Sequence, residues 1–290
     1  MTNTQMPTEI FDRALLKKRR ARAARRQAVP FLMQRCVDDV VEKLLDINRT
    51  FTRALIIAPV AVGQAIVRAI PKAKRPPHLQ LGYFTEQPDG LDFILDEENL
   101  PFDASEFDLI ISLMGLHVVN DLPGALIQIR RALIPDGVFI ASLFGGDTLS
   151  ELRRAAYRVD ADLIGGATPR VYPFADFQQL ASLLQRAGFA LPVVDTDRLN
   201  VTYKNIGRLI DDLRDMGETN ILTERDKTPM PRRYLSELAN TMSDCGSEPR
   251  IHVGFEILWL TGWAPDPSQP KPLKPGSATV SLTQVLKDKS

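Results

Sequence analysis

The 290-residue sequence predicts a Rossmann-like α/β fold on a doubly wound, mostly parallel sheet, with a helical N-terminal extension and a helical insertion. Three observations carry that reading. Asp108-Leu-Ile-Ile-Ser-Leu-Met114 is a near-continuous apolar run, as expected of a central parallel strand with helices on both faces. Similar runs at Arg53 to Ala58 and Val138 to Phe144 alternate with stretches of helical periodicity, the pattern of parallel βαβ units. Turn chemistry falls between them: Asp121 can cap a helix over 122–133, and Pro135-Asp136-Gly137 turns the chain into the next strand.

Taken in order, Val29 to Ile47 places Phe31, Leu32, Cys36, Val40, Val41, Leu44 and Leu45 on one apolar stripe, predicting a helix that covers an edge of the domain. Arg53 to Ala58 reads as a buried strand and Gly63 to Ala69 as the start of the next helix. Pro71 to Pro77 is a loop, followed by short strands at His78 to Gly82 and Leu91 to Leu95. Beyond the strand at 138–144, helices are expected at Thr148 to Tyr157, Phe174 to Ala187, Ile206 to Met216 and Arg232 to Ser243, then a last strand from His252 to Trp263. Pro265, Pro267, Pro270, Pro272 and Pro275 keep the C-terminal tail extended. The expected organisation is a basic arm over 1–27, one domain over 28–264 and a Pro-rich tail over 265–290.

Hydrophobic residues make up 44% and charged residues 25% of the chain, which suits a packed globular protein and argues against wholesale disorder. Lys plus Arg and Asp plus Glu both number 36, so no global field draws the chain to nucleic acid. One local excess stands out: Arg13, Lys17, Lys18, Arg19, Arg20, Arg22, Arg25 and Arg26 with no acidic residue among them. It reads either as a solvated helix face or frayed arm, or as a docking surface for a protein partner or anionic membrane. On either reading it is expected to be dispensable for stability. Ala54 to Val67, interrupted by Pro59, Gly63 and Gln64, is shorter than the roughly 20 residues a spanning helix needs. Cys36 and Cys245 lack neighbours at metal-ligand spacing, so no metal site is expected and a reducing compartment fits.

Two sets of motifs carry a resemblance. Leu95-Asp-Glu-Glu-Asn-Leu-Pro-Phe102, Phe107-Asp-Leu-Ile-Ile-Ser112 and Leu133-Ile-Pro-Asp-Gly-Val-Phe139 resemble the middle of class I S-adenosylmethionine-dependent methyltransferases. Ile10-Phe-Asp-Arg13, Leu116-His-Val-Val-Asn-Asp-Leu-Pro123, Phe144-Gly-Gly-Asp-Thr-Leu149 with Glu151-Leu152, Met216-Gly-Glu218 with Asn220, and Pro275-Gly-Ser-Ala278 resemble the mitochondrial complex I assembly factor five family and its alphaproteobacterial relatives. The resemblance implies the class I methyltransferase fold, S-adenosylmethionine as cofactor and a complex I subunit as protein partner. It leaves three activities open: methyl transfer to that partner, arginine hydroxylation of it, or a non-catalytic assembly role. A cytoplasmic, bacterial-type location, peripheral to the inner membrane, is expected, with the mitochondrial matrix as the alternative.

By position, the cofactor-binding candidates are Ala58, Val60, Gly63, Asp96, Glu97 and Ser112. A carboxylate after the third strand can accept from an adenine amino group; the competing reading of Asp96 and Glu97 is a solvated, helix-capping turn. Cofactor-binding relatives carry an acid at the end of the first strand and then a glycine-rich turn. Here Ile56 stands for the acid, and Ala58, Val60 and Val62 fall where glycines are wanted. Valine disfavours positive φ and Pro59 lacks a backbone donor. Leu79-Gln-Leu-Gly-Tyr83 offers no carboxylate for ribose hydroxyls. His117 and Asp147 are the catalytic candidates, each with a bland counterpart, a buried structural histidine and a helix cap. Gly145, Gly146, Asp147, Thr148 and Tyr172 are the substrate-side candidates, and 116–123 and 145–148 are expected to line one crevice.

Overall fold

The computed structural model describes residues 9–270 apart from 27, 87–88, 245 and 247–248. The Pro275 to Ala278 motif, most of the Pro-rich tail and Cys245 lie outside the described residues.

Seven strands form one sheet: β1 (Arg53–Ile57), β2 (His78–Tyr83), β3 (Phe93–Ile94), β4 (Phe107–Leu113), β5 (Leu133–Phe144), β6 (Ala190–Tyr203) and β7 (Ile251–Trp263). Their order is β3-β2-β1-β4-β5-β7-β6. The five from β3 to β5 are parallel, and β7 runs antiparallel between β5 and β6. The helices are α1 (Arg13–Ala24), α2 (Phe31–Asp46), α3 (Val60–Ala69), α4 (Leu122–Ala132), α5 (Ser150–Ile164), α6 (Phe177–Arg186), α7 (Ile206–Met216) and α8 (Arg232–Met242).

Alternation along the strands divides the core. Ile56, Leu109, Ile111, Val138 and Ile140 pack with α2, α3 and α7 on one face. Leu55, Ile57, Ile110, Phe139 and Ala141 pack with α4 and α6 on the other. Period-two strand geometry requires this split, and it makes the central strands apolar throughout. Helix ends follow local chemistry. The Asp121 carboxylate accepts from Gly124 N at the start of α4. Asp176 and Gln179 form a reciprocal capping box on α6. Asn205 caps α7, which ends on Gly217 at φ 78°.

Several elements differ from expectation; α3 begins earlier, at Val60, and four others bear on the site. β6 falls in a stretch with no predicted element; its burial alternates between half-covered and exposed, as on a sheet edge with one solvated face. β5 begins at Leu133, which pairs with Phe107 ahead of a register shift. α5 runs on to Ile164, where Gly165 at φ 75° ends it. The basic arm is a regular helix whose Leu16, Arg20 and Ala21 are buried. It is tied to the far end of the chain: Asp12 N donates to Ile221 O, Thr223 N donates to Ile10 O, and Arg19 donates to Asn220 O at 2.6 Å. These contacts count against the expectation that the segment from Arg13 to Arg26 is dispensable for stability.

Candidate functional site

The strand order reverses between β1 and β4, and ligands of such sheets bind outside the carboxyl ends of the strands at that point. Tyr83 ends β2, Glu97 follows β3 and Gly115 follows β4. Into the space they bound, α1 inserts two arginines. Arg20 Nη1 lies 3.2 Å from Glu97 Oε1, and Arg13 Nη2 lies 3.1 Å from Glu97 Oε2 and 2.6 Å from Asp96 Oδ1. The guanidinium of Arg20 lies 4.6 Å from the Tyr83 ring centre, and that of Arg13 lies 4.2 Å from Phe84. A Cβ on Gly115 would stand 2.8 Å from Glu97 Oε1. Glu97 and Arg20 are both buried. Burial disfavours the Arg20 charge, but Tyr83 and Glu97 outweigh it and raise the guanidinium pKa. Glu97 is thus a buried, paired carboxylate, whereas Asp96 keeps 36% of its side chain exposed and accepts from both Arg13 and Glu98 N.

Beside this pair, Ala58 N donates to Gly82 O at 3.2 Å and Gly63 N donates to Pro59 O at 2.9 Å. Pro59 caps α3, so Val60 and Val62 are helical, and none of residues 56–63 has positive φ. The expected conflict between valine and positive φ does not arise, because the connection closes without the glycine conformation. Gly63 packs on β2, with Leu81 Cδ1 2.3 Å from where its Cβ would be. Ser112 is buried in β4, its Oγ without a hydrogen-bond partner among the described residues. A cavity of about 40 Å³ remains here, lined in part by Arg20, Met33, Pro59, Val60 and Tyr83.

The Gly-Gly-Asp-Thr segment is pinned to β7. Gly145 N donates to Glu256 O, Asp147 N to Glu256 Oε2 at 3.1 Å, and Thr148 Oγ1 to Glu256 O at 3.0 Å. A Cβ on Gly145 would meet Glu256 Oε2 at 2.5 Å, which explains the glycine. The Asp147 carboxylate turns outward to Arg198 at 3.1 Å, with 69% of its side chain exposed. Gly146 and Tyr172 do share a surface cleft, with Arg153 and Phe174.

His117 sits in a 3-10 turn (Leu116–Val118) just after β4. It is buried among the Phe144 and Phe174 rings, and its Nε2 lies 3.0 Å from Glu218 Oε2. Its Nδ1 has no partner among the described residues. No described cavity is lined by both His117 and Asp147. Asp147 is held toward the β6–β7 edge, whereas Gly146 shares its cleft with Phe174, the ring against which His117 packs. Sequence reasoning does not single out Glu218 as a site residue; Met216-Gly-Glu is visible only as part of a motif. Glu218 lines an apolar cavity of about 180 Å³ walled by α5, α7 and α8, with Phe144, Tyr172 and Phe174. Tyr172 lines it too, donating through its hydroxyl to Thr219 O. Among the described residues no group of three or more His, Cys, Asp or Glu is placed to hold a metal ion.

A methyltransferase-domain family model matches residues 81–141. Mitochondrial arginine-hydroxylase NDUFAF5 of mouse is 35% identical over 289 residues, covering 96% of this chain and 84% of its own. The human protein is 36% identical over 291 residues with the same coverage. The chain belongs to the NDUFAF5 family. Its fold is that of the class I methyltransferases: YcgJ from Bacillus subtilis superposes with a TM-score of 0.52 over 80% of this chain and 99% of its own, at 12% identity. NDUFAF5 relatives from mammals to Dictyostelium are named as mitochondrial, which corrects the expectation of a cytoplasmic, bacterial-type protein.

Proposed function

We propose that the chain serves a protein partner in respiratory complex I assembly as an arginine-directed member of the NDUFAF5 family, and that it works without S-adenosylmethionine. The supporting observation is the Arg20–Glu97 pair, which fills the crevice where an adenosyl group would lie. The cavity lined by Arg20 and Tyr83 beside the β1–α3 turn holds about 40 Å³, against roughly 300–1,000 Å³ for pockets that take small-molecule ligands; the larger space by this turn, about 470 Å³, lies between Val60, Gln64, Arg68 and Gly90 and is lined by neither Glu97 nor Ser112. The turn carries Ala58, Val60 and Val62 where glycines are expected of a cofactor-binding loop, and β2 ends in Gly82-Tyr83 with no carboxylate. These residues do not fit the cofactor, and no step is derived through it. The arginine-directed part follows the relatives, which are named for hydroxylation of arginine. The filled crevice equally suits a purely assembling role, in which the partner is bound and left unmodified.

Two measurements test this. Calorimetry with S-adenosylmethionine on the whole chain is expected to show no binding. Cells that lack their own NDUFAF5 and express this chain are expected to regain complex I, and mass spectrometry is expected to show one oxygen atom added to a partner arginine, drawn from dioxygen whose second atom leaves as water at the expense of a two-electron reductant supplied by the cell. Restored complex I with unmodified arginines selects the assembling role. Micromolar cofactor affinity, or a methyl group on the partner, overturns the proposal.

A further inference from the structure

We propose that the cavity between α5, α7 and α8 receives the partner's arginine side chain, with Glu218 taking the guanidinium and His117 acting as the positioning residue behind it; this rests on the arginine-directed reading above. The cavity holds about 180 Å³, and a cavity of about 150 Å³ already accepts one benzene-sized group, so the space matches a single side chain. Its walls are apolar, with Leu149, Leu152, Phe174, Leu209 and Leu213 among them. Met230, 42% exposed, carries the lining to the surface.

The polar end is built rather than incidental. Gly217, in the left-handed region at φ 78°, stops α7 and reverses the chain, so that Glu218 N donates to Leu213 O. The carboxylate is thereby turned into the protein, where only 5% of the side chain is exposed. One of its oxygens meets His117 Nε2; the other makes no hydrogen bond among the described residues. A buried carboxylate with an open lone pair favours a cationic donor strongly over a neutral occupant. Arg20 lies near enough to Glu218 to feel its charge but spends its hydrogen bond on Glu97, and Arg170 in the cavity lining is engaged by Asp160 at 2.7–3.0 Å. A guanidinium presents donors in a planar fork suited to a carboxylate. Its methylene stem suits aliphatic walls, and Tyr172 and Phe174 supply ring faces for the charge. His117 packs against the Phe144 and Phe174 rings, which hold its Nε2 facing the carboxylate.

The probe is n-butylguanidinium, the isolated arginine side chain, titrated calorimetrically into the full chain beside n-pentanol as its neutral counterpart. Saturable one-to-one binding of n-butylguanidinium is expected, at least tenfold tighter than n-pentanol. It should weaken at least tenfold in Glu218→Gln and vanish in Leu152→Trp, which fills the cavity, with circular dichroism melts verifying that both variants fold. His117→Ala should weaken binding and His117→Gln, which keeps a donor facing Glu218, should restore most of it. N-acetylarginine methylamide binding tenfold tighter than free arginine identifies a protein side chain as the occupant; the reverse order overturns that assignment. Equal affinity for n-pentanol, or unchanged affinity in a folded Glu218→Gln, overturns the site. Absence of binding in a chain that still restores complex I also overturns it and leaves the arginine-directed reading in place. Glu218-dependent binding in a chain that restores no complex I supports the site and removes that reading.

Discussion

Replacing Arg20 by methionine asks whether the helix that fills the crevice is part of the fold. Arg20 is 2% exposed and Glu97 fully buried, with their charged atoms 3.2 Å apart. Removing one partner of a buried ion pair costs about 3–5 kcal/mol, because the other charge is left in a poorly solvating interior. Glu97 would keep Arg13 at 3.1 Å, which places Arg20→Met near the lower bound. Glu97→Leu is worse: it leaves Arg20 with only the more distant Glu218 and Tyr83 as compensating neighbours, so its cost should lie near the upper bound, about 5 kcal/mol. At roughly 2–4 °C per kcal/mol for domains of this size class, melting should fall by about 6–12 °C for Arg20→Met and about 10–20 °C for Glu97→Leu. Combining the two removes both charges, so the double variant should be less destabilised than the sum of the singles. Differential scanning calorimetry on the three proteins decides it. Single variants within 2 °C of the parent (well under the ~6 °C floor), or strict additivity in the double, would refute the reasoning.

Gly145→Ala should lower stability by about 1–3 kcal/mol, read from a denaturant midpoint, since its new methyl would stand 2.5 Å from Glu256 Oε2 and 2.8 Å from Leu258 Cγ. Asp147→Asn should change stability by less than about 1 kcal/mol, because its pair with Arg198 is largely exposed, and should leave complex I restoration intact. Burial opposes the Asp160 charge, but hydrogen bonds from Arg170 and Thr168 lower its pKa in the folded state. Its stabilising contribution is therefore complete above the unfolded value of roughly 3.9 and is lost as pH falls through the folded value. An acid titration of Asp160→Asn should show a shallower loss of stability there than the parent does. Burial pushes the Cys36 thiol up to about 12, so iodoacetamide at mildly alkaline pH should leave it unlabelled in the native protein and label it in urea.

How far the sequence speaks depends on where the information sits. Ile206 to Met216 is readable to the residue, since Asn205 and Gly217 mark its ends in the local chain. The central strands are readable because burial on both faces leaves them uniformly apolar. β6 is not: an edge strand with one solvated face carries Asp195, Asp197 and Arg198 among its apolar residues, and that mixture resembles a loop. Nor is the packing of α1 visible. Its anchors are arginines, which read locally as surface residues, and the carboxylates that hold them lie 77–84 positions away. The glycine turn is legible as changed in its residues, but not its lack of strain, because helix α3 begins earlier than expected, at Val60. Glu218 is hidden for the same reason as α1, since its histidine partner stands 101 residues earlier.

The threading of the N-terminal segment onto Asn220, Ile221 and Leu222 has a consequence for biosynthesis. These contacts join the first described part of the chain to residues about 200 positions later, as in the 201-residue span from Arg19 to Asn220. At roughly 5–20 residues per second, translation needs about 10–40 s to deliver the receiving segment after α1 has been made. Arg13 and Arg20 can meet Asp96 and Glu97 once those residues are made, but Arg19 and the backbone at Phe11 wait for Asn220 and Leu222. The N-terminal segment therefore cannot be closed until well after β1 to β5 have been made, and β7, which lies between β5 and β6 in the sheet, is made later still.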